Sequence, residues 1–293
     1  MQLHMQRRSE ERHLEADSLL DFINTAAQRR HCTGWTDASQ EKGLGRREFT
    51  GTDSLEDALE LLRGGWEEGT ARIVRGVEAQ AAPSPPTLWP EWKYDVAGLV
   101  PDVAAYCAGA PECMASPGED RDAPSAVVRL YIPGMVPHRI GADTVMRHAV
   151  AVATHIDAIQ RSGRSVELIW IGCNAAKTRN KKRHTVTTVP IITAGRALSV
   201  AQIAAAYHPA MVRRLWFAVM EQYPQLSDHG GGFGPVRAAP EWVTADGVAL
   251  PGPAQLADRG RDRTDADAVA YLGECLAAAG LGERADEDHR AAA

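Results

Sequence analysis

The sequence has no stretch approaching the ~20 consecutive apolar residues that a membrane-spanning helix requires, and the opening segment Met1 to Glu11 has no apolar core of leader length. A cytoplasmic protein without a membrane partner is the expectation. An excess of cations is missing as well. With 32 Lys and Arg against 38 Asp and Glu, the formal charge is −6 and the pI about 5.9, which excludes a broad basic face that tracks phosphate backbones; any contact with nucleic acid would be local. Cysteine is sparse and unpaired in spacing. Of five, Cys107 and Cys113 stand six positions apart, and Cys32, Cys173 and Cys275 stand alone. No zinc-type set results, so no metal is expected and the thiols read as reduced and mostly buried.

Chemical motifs are equally scarce. The glycine cluster Gly230-Gly231-Gly232-Phe233-Gly234 follows a helical pattern and ends at Pro235, whereas a phosphate loop follows a strand and opens a helix; it reads as a flexible linker. His31-Cys32 is the one adjacent His/Cys pair, yet no oxyanion loop or orienting acid accompanies it. Nothing calls for a cofactor, and no catalytic residue is assigned.

What the sequence does have is one continuous pattern from Ala126 to Gln222. Val127–Ile132 is an apolar run ended by Pro133-Gly134. Val145, Ala149, Val152, Ile156 and Ile159 recur at helical spacing over Asp143–Arg161, Gly163 closes that helix, and Ser165–Ile171 is a second apolar run. This is a strand–helix–strand signature, which implies a right-handed crossover and two parallel strands. Thr185–Ile192 predicts a third strand in the same sheet, with Pro190 at an edge or a bulge because proline removes a ladder donor. Beyond it, Ser199 caps a helix that Pro209 should end near Ala206. A following helix carries Met211, Val212, Leu215, Trp216 and Val219 on its inner face. Within it, Arg213-Arg214 predicts one arginine packed along its stem and one in solvent or paired with Glu221 or Asp228.

The fold class is therefore α/β, a mostly parallel sheet with flanking helices, a helical N-terminal region and an irregular C-terminal tail. The predicted organisation is a helical region over 1–78, a Pro/Trp-rich linker over 79–95, an α/β core over 96–224 and an irregular region over 225–293. In the first region Leu14, Leu19, Phe22, Ile23 and Ala26 suggest one amphipathic helix. Leu55, Ala58, Leu59 and Leu62 suggest another, boxed by Asp53 and Glu56 and stopped at Gly64-Gly65. In the last region only Ala266–Ala279 looks helical, and Glu283–Ala293 reads as disordered.

Two groups of residues are candidate binding sites. Lys177, Arg179, Lys181, Lys182 and Arg183 place five cations in seven residues between two predicted strands. Such a loop tip could hold phosphates, nucleic acid or an acidic protein, or simply keep a hairpin soluble. Trp89, Trp92 and Tyr94 are large amphipathic residues in a proline-rich setting that must pack on the main domain or on a protein partner.

The stretches Leu55 to Gly69, Pro111-Glu112-Cys113-Met114 and His208 to Ala218 together resemble an uncharacterised family of proteins encoded by tailed bacteriophages, over roughly Phe49 to Glu221. That resemblance implies a phage setting inside a bacterial host and brings no known reaction. The element order from Val127 is also similar to the opening of a von Willebrand factor A domain. Where such domains hold a metal with Asp-x-Ser-x-Ser, this chain has Ile132-Pro133-Gly134-Met135-Val136-Pro137, so the resemblance carries no metal site. The expected function is a non-enzymatic binding or assembly protein acting on another macromolecule through strand-end loops. The alternatives are a nucleic-acid or nucleotide-binding protein using 177–183, or an enzyme of unrecognised type.

Overall fold

The computed structural model describes residues 2–5, 11–28, 50–80, 92–117, 127–137, 139–178, 181–223 and 236–281. His31-Cys32, Trp89, Arg179, the 230–234 glycines and the 283–293 tail lie outside them.

In chain order the elements begin with β1 (Gln2–Met5), β2 (Glu11–Glu15), α1 (Leu19–Ala27), α2 (Leu55–Gly64) and α3 (Glu67–Ala79). A small unit follows, made of β3 (Trp92–Asp95), β4 (Val100–Pro101), α4 (Val103–Cys107) and β5 (Met114–Pro117). The main unit continues with β6 (Val127–Pro133), α5 (Ala142–Arg161), β7 (Ser165–Thr178), β8 (Lys181–Ile192) and α6 (Val200–Tyr207). A π-helical turn over Met211–Trp216 then runs into α7 (Phe217–Gln222). The last elements are α8 (Glu241–Thr244), β9 (Val248–Ala249), α9 (Pro253–Asp258) and α10 (Asp265–Ala278).

The main sheet has the order β1-β2-β8-β7-β6-β9. The pairs β2/β8, β6/β7 and β6/β9 are parallel, whereas β1/β2 and the β7/β8 hairpin are antiparallel. The protein is thus α/β with a mostly parallel sheet and flanking helices. Val128, Leu130 and Ile132 of β6, with Val166, Leu168 and Trp170 of β7, turn one face of this sheet into the floor of the core. α5 lies on that floor and is covered in turn by α3 and α10. Buried between these layers, it has apolar or small residues nearly all round, including Ala149, Ala151, Ala153 and Ala158. Gly163, at φ +87°, ends it as the sequence suggests.

Pro190 stands opposite Ile169 at the register shift where Leu168 pairs with Ile192. The bulge absorbs the missing donor, so proline is tolerated in a strand that is central in the sheet. Trp170 lies flat under the end of β6. A Cβ on Gly134 would sit 1.7 Å from its Cε2, and one on Gly172 2.7 Å from its Cη2, so only glycine lets these backbones approach the indole.

Three expectations are corrected. Leu14 belongs to β2 and not to a helix. Glu11-Arg12-His13-Leu14-Glu15 carries one apolar residue and gives no local strand signal; its pairing with β8, far along the chain, makes it a strand. The box on α2 is formed by Ser54 and Asp57, one position later than predicted. The region after 224 is more ordered than expected, since β9 pairs with β6 and α9 and α10 pack on α5. One hydrophobic core draws residues from Leu14 to Leu276, so the helices α1 to α3 and α10 belong to it.

The π-helical turn contributes four fully buried side chains, Met211, Arg214, Leu215 and Trp216, of which Arg214 and Trp216 carry polar groups. Trp216 donates its indole N–H to Thr187 Oγ1 at 3.0 Å. Arg214 neither lies along the flank nor reaches solvent: its Nη2 donates to Thr50 Oγ1, the Thr52 carbonyl and the Asp53 carbonyl at 3.1–3.2 Å. It therefore pins the segment that leads into α2. Because Trp216 is wholly enclosed, Trp216→Ala should cost about 3–5 kcal/mol in denaturant unfolding; an unfolding midpoint that does not move would contradict this packing.

Candidate functional site

The basic residues come together at the end of the β7/β8 hairpin. Lys177 pairs with Lys182, Ala176 with Arg183 and Thr178 with Lys181, so the strands run further than the sequence suggests and the connection shrinks to residues 179–180. Four of the five cations are strand residues. Cross-strand backbone hydrogen bonding outweighs the low strand preference of lysine.

Trp92 and Tyr94 lie on β3, paired with Pro117 and Ala115 in the three-stranded sheet β3-β5-β4. Tyr94 is 52% exposed. Its neighbours in the same unit are exposed too. Of the ten large hydrophobic residues that are exposed among the described residues, six (Tyr94, Val96, Leu99, Val100, Val103 and Tyr106) fall within this unit. None of the residues of α4 is buried, although Asp102 caps it properly by accepting from the Ala105 amide at 3.0 Å. Exposed apolar side chains gathered in one small unit are a feature of interaction sites.

A cleft of about 880 Å³ opens where β6 ends. Pro133, Gly134 and Val136 form one wall, Ala142, Val145 and Met146 from the first turns of α5 another, and Leu61 and Trp66 join them from α2 and the turn after it. The break at Pro209 supplies the rest. Tyr207 and His208 end α6, and Val212 and Arg213 follow in the π-helical turn, a distortion often found at functional sites. His208 packs edge-on against Trp66, with centroids 4.7 Å apart. Beneath the cleft, His148 donates from Nε2 to the Pro251 carbonyl at 2.6 Å. This tautomer leaves Nδ1 to accept from the Tyr207 hydroxyl, also at 2.6 Å. Burial holds both His148 and His208 down at about 4, and it raises the Tyr207 phenol well above its ordinary range.

A second cavity, about 500 Å³, lies on the opposite face of the sheet. Here Arg129 bridges Glu167 and Asp246, and the Tyr131 hydroxyl donates to Asp246. Burial and that bond raise the Tyr131 phenol to about 12, and the same bond, with Arg129, lowers the Asp246 carboxyl. His13 Nε2 meets Thr188 Oγ1 at 2.8 Å, its ring edge-on to Trp242. These groups compensate one another and hold the α8–β9 segment on the sheet. Among the described residues no group of three or more His, Cys, Asp or Glu could hold a metal ion, and no helix is long and apolar enough to cross a membrane.

Neither cavity is legible in the sequence. Both are built from residues far apart in the chain, and His148, His208 and Tyr207 follow no spacing rule. The Pro209 break was the only local hint.

His148 and His208 give stability a pH dependence whose sign is fixed. Their folded pKa values lie below the ordinary 6.5. Their contribution is therefore complete above pH 6.5 and is lost as pH falls towards 4, because only the unfolded chain takes up protons in that window. The loss is on the order of 3 kcal/mol for the fully buried His148. Chemical denaturation from pH 7 to 4 should show the fall. His148→Gln, which can still pair with Tyr207 and Pro251, should flatten it; an unchanged slope would contradict the assignment.

No curated protein and no solved structure matches the chain. A family model described as "Domain of unknown function (DUF7192)" matches residues 6–281, a span that includes all of the main sheet from β2 onward, the small exposed unit and both cavities; the chain belongs to this family.

Proposed function

We propose that the protein is a phage-encoded, non-enzymatic binding or assembly protein that captures another macromolecule inside the bacterial host. The apolar surface of the small unit over 92–117 is the site. One observation carries this reading: six large hydrophobic residues are left in solvent on a unit whose own sheet and cap are well formed. Exposing that much apolar surface is costly unless a partner covers it. The partner is a protein, since Tyr and aliphatic side chains with few charges are what the centre of a protein interface presents. The likeness to phage-encoded proteins over 49–221 supports the setting. The order strand, long helix, parallel strand, with a proline-glycine stretch in place of a metal motif, supports a binding role.

The basic hairpin end offers a second reading, nucleic-acid binding, favoured by the cross-strand pairing of Lys177 with Lys182. Co-purification from infected cells distinguishes the two. A tagged protein should enrich a specific protein. A Leu99→Asp/Val103→Asp/Tyr106→Ser variant should lose it while its stability shifts by no more than about 0.5 kcal/mol per substitution, since the three positions are exposed. Equal recovery by the variant would overturn the reading. So would recovery of nucleic acid alone that disappears when Lys177, Lys181, Lys182 and Arg183 are neutralised.

A further inference from the structure

We infer that the open edge of β3 joins two copies of this chain through an antiparallel β3–β3 ladder centred on Tyr94. This goes beyond the capture of another protein by the apolar surface, because it uses the backbone edge of the unit and not Leu99, Val103 or Tyr106.

The hydrogen-bonding pattern of the small sheet decides which groups face outward. β5 lies between β3 and β4. Its Cys113 and Ala115 carbonyls accept from the Asp102 and Leu99 amides at 2.7 and 3.0 Å, so these two residues turn their backbone groups towards β4. Alternation along the strand turns those of Met114 and Ser116 towards β3, where their register partners are Asp95 and Lys93. Tyr94, between these two, therefore directs its N–H and C=O away from β5, at the open edge of the sheet. Among the described residues neither group has a partner. A residue with both groups outward on an edge strand is ready to exchange two bonds with an added antiparallel strand.

Charge selects a second copy as that strand. β3 reads Trp92-Lys93-Tyr94-Asp95, and Lys93, Tyr94 and Asp95 are all exposed. A twofold axis through Tyr94 pairs it with Tyr94 of the second copy, and the same register sets each Lys93 opposite Asp95 of the other copy. Neither charge has an ion-pair partner among the described residues. The Asp95 carboxylate is held at the strand end by accepting from the Val96 amide at 2.6 Å. A lysine alone on an edge strand wards off pairing. With an aspartate two positions on, the strand becomes complementary to itself, and this register forms both ion pairs. On the other face the two Tyr94 rings meet as an aromatic cross-strand pair. So short a ladder buries little surface, and the dimer should dissociate at about 10–100 µM.

Sedimentation velocity of the full chain from about 1 to about 500 µM tests this, and a monomer–dimer equilibrium is expected. Lys93→Glu and Asp95→Lys should each weaken the dimer at least about tenfold, because each homodimer then sets like charges opposite one another. An equimolar mixture of the two variants should associate as the wild type does, since every opposite pair in the mixed dimer is again of unlike charge. A substitution that acted only through the fold would not be rescued by mixing. The Leu99→Asp/Val103→Asp/Tyr106→Ser variant should still dimerise although it loses the captured protein, and Lys93→Glu should still capture that protein, so the two readings fail separately. The inference is overturned if the chain stays monomeric over the whole range, if the single variants dimerise like the wild type, or if their mixture remains monomeric. It is also overturned if the triple variant is monomeric, which would move the contact to the apolar side chains.

Discussion

The burial of α5 on two sides is the constraint on which the rest of the molecule depends. A 20-residue helix lying on a sheet can usually leave one face in water. Here His148, Ala149, Val150, Ala151, Val152, Ala153, Thr154, His155 and Ile156 are consecutive and all buried, so a second layer has to exist. α3 and α10 provide it, drawn from segments that are distant in sequence. Polar groups on this helix then need internal partners, and they have them: Thr154 bonds back to the Val150 carbonyl, His155 reaches the Val269 carbonyl of α10, and His148 bonds to Tyr207 and Pro251. The close approach of α3 also requires Gly76, where a Cβ would lie 2.6 Å from Val150.

The same constraint produces the cleft. With α5 fixed along its length, its amino end stops where β6 ends, next to the Pro209 break and the π-helical turn. The turn rotates Arg214 inward to bind the Thr50 hydroxyl and the Thr52 and Asp53 carbonyls, and leaves Arg213 lining the cleft. Behind the cleft wall Trp170 is fully buried against Gly134. The small unit over 92–117 stands outside these dependencies. Its strands pair with one another and not with the main sheet, which leaves it free to present apolar side chains without weakening the core.

Sequence periodicity made the centre of the fold legible. Val127–Ile132, Asp143–Arg161 and Ser165–Ile171 are local patterns whose burial is dictated by neighbours within the same segment, and the burial of Trp216 followed from its helical face. What could not be read depended on partners elsewhere in the chain. β2 is a strand because β8 lies beside it, β9 because β6 does, and Arg214 is internal because three acceptors at Thr50, Thr52 and Asp53 surround it. The candidate sites divide in the same way. Tyr94 was identifiable as an aromatic residue that must pack or bind, whereas His208 and the end of α5 meet only after folding.

Native-state hydrogen exchange across the whole chain tests this organisation most directly. The account predicts that amides of α5, β6 and β7 exchange only through global unfolding, that α3 and α10 share that unfolding free energy, and that residues 92–117 open at much lower cost. If α10 or α3 instead exchanged as readily as 92–117 while α5 remained protected, the two-sided burial of α5 would not be what holds the molecule together.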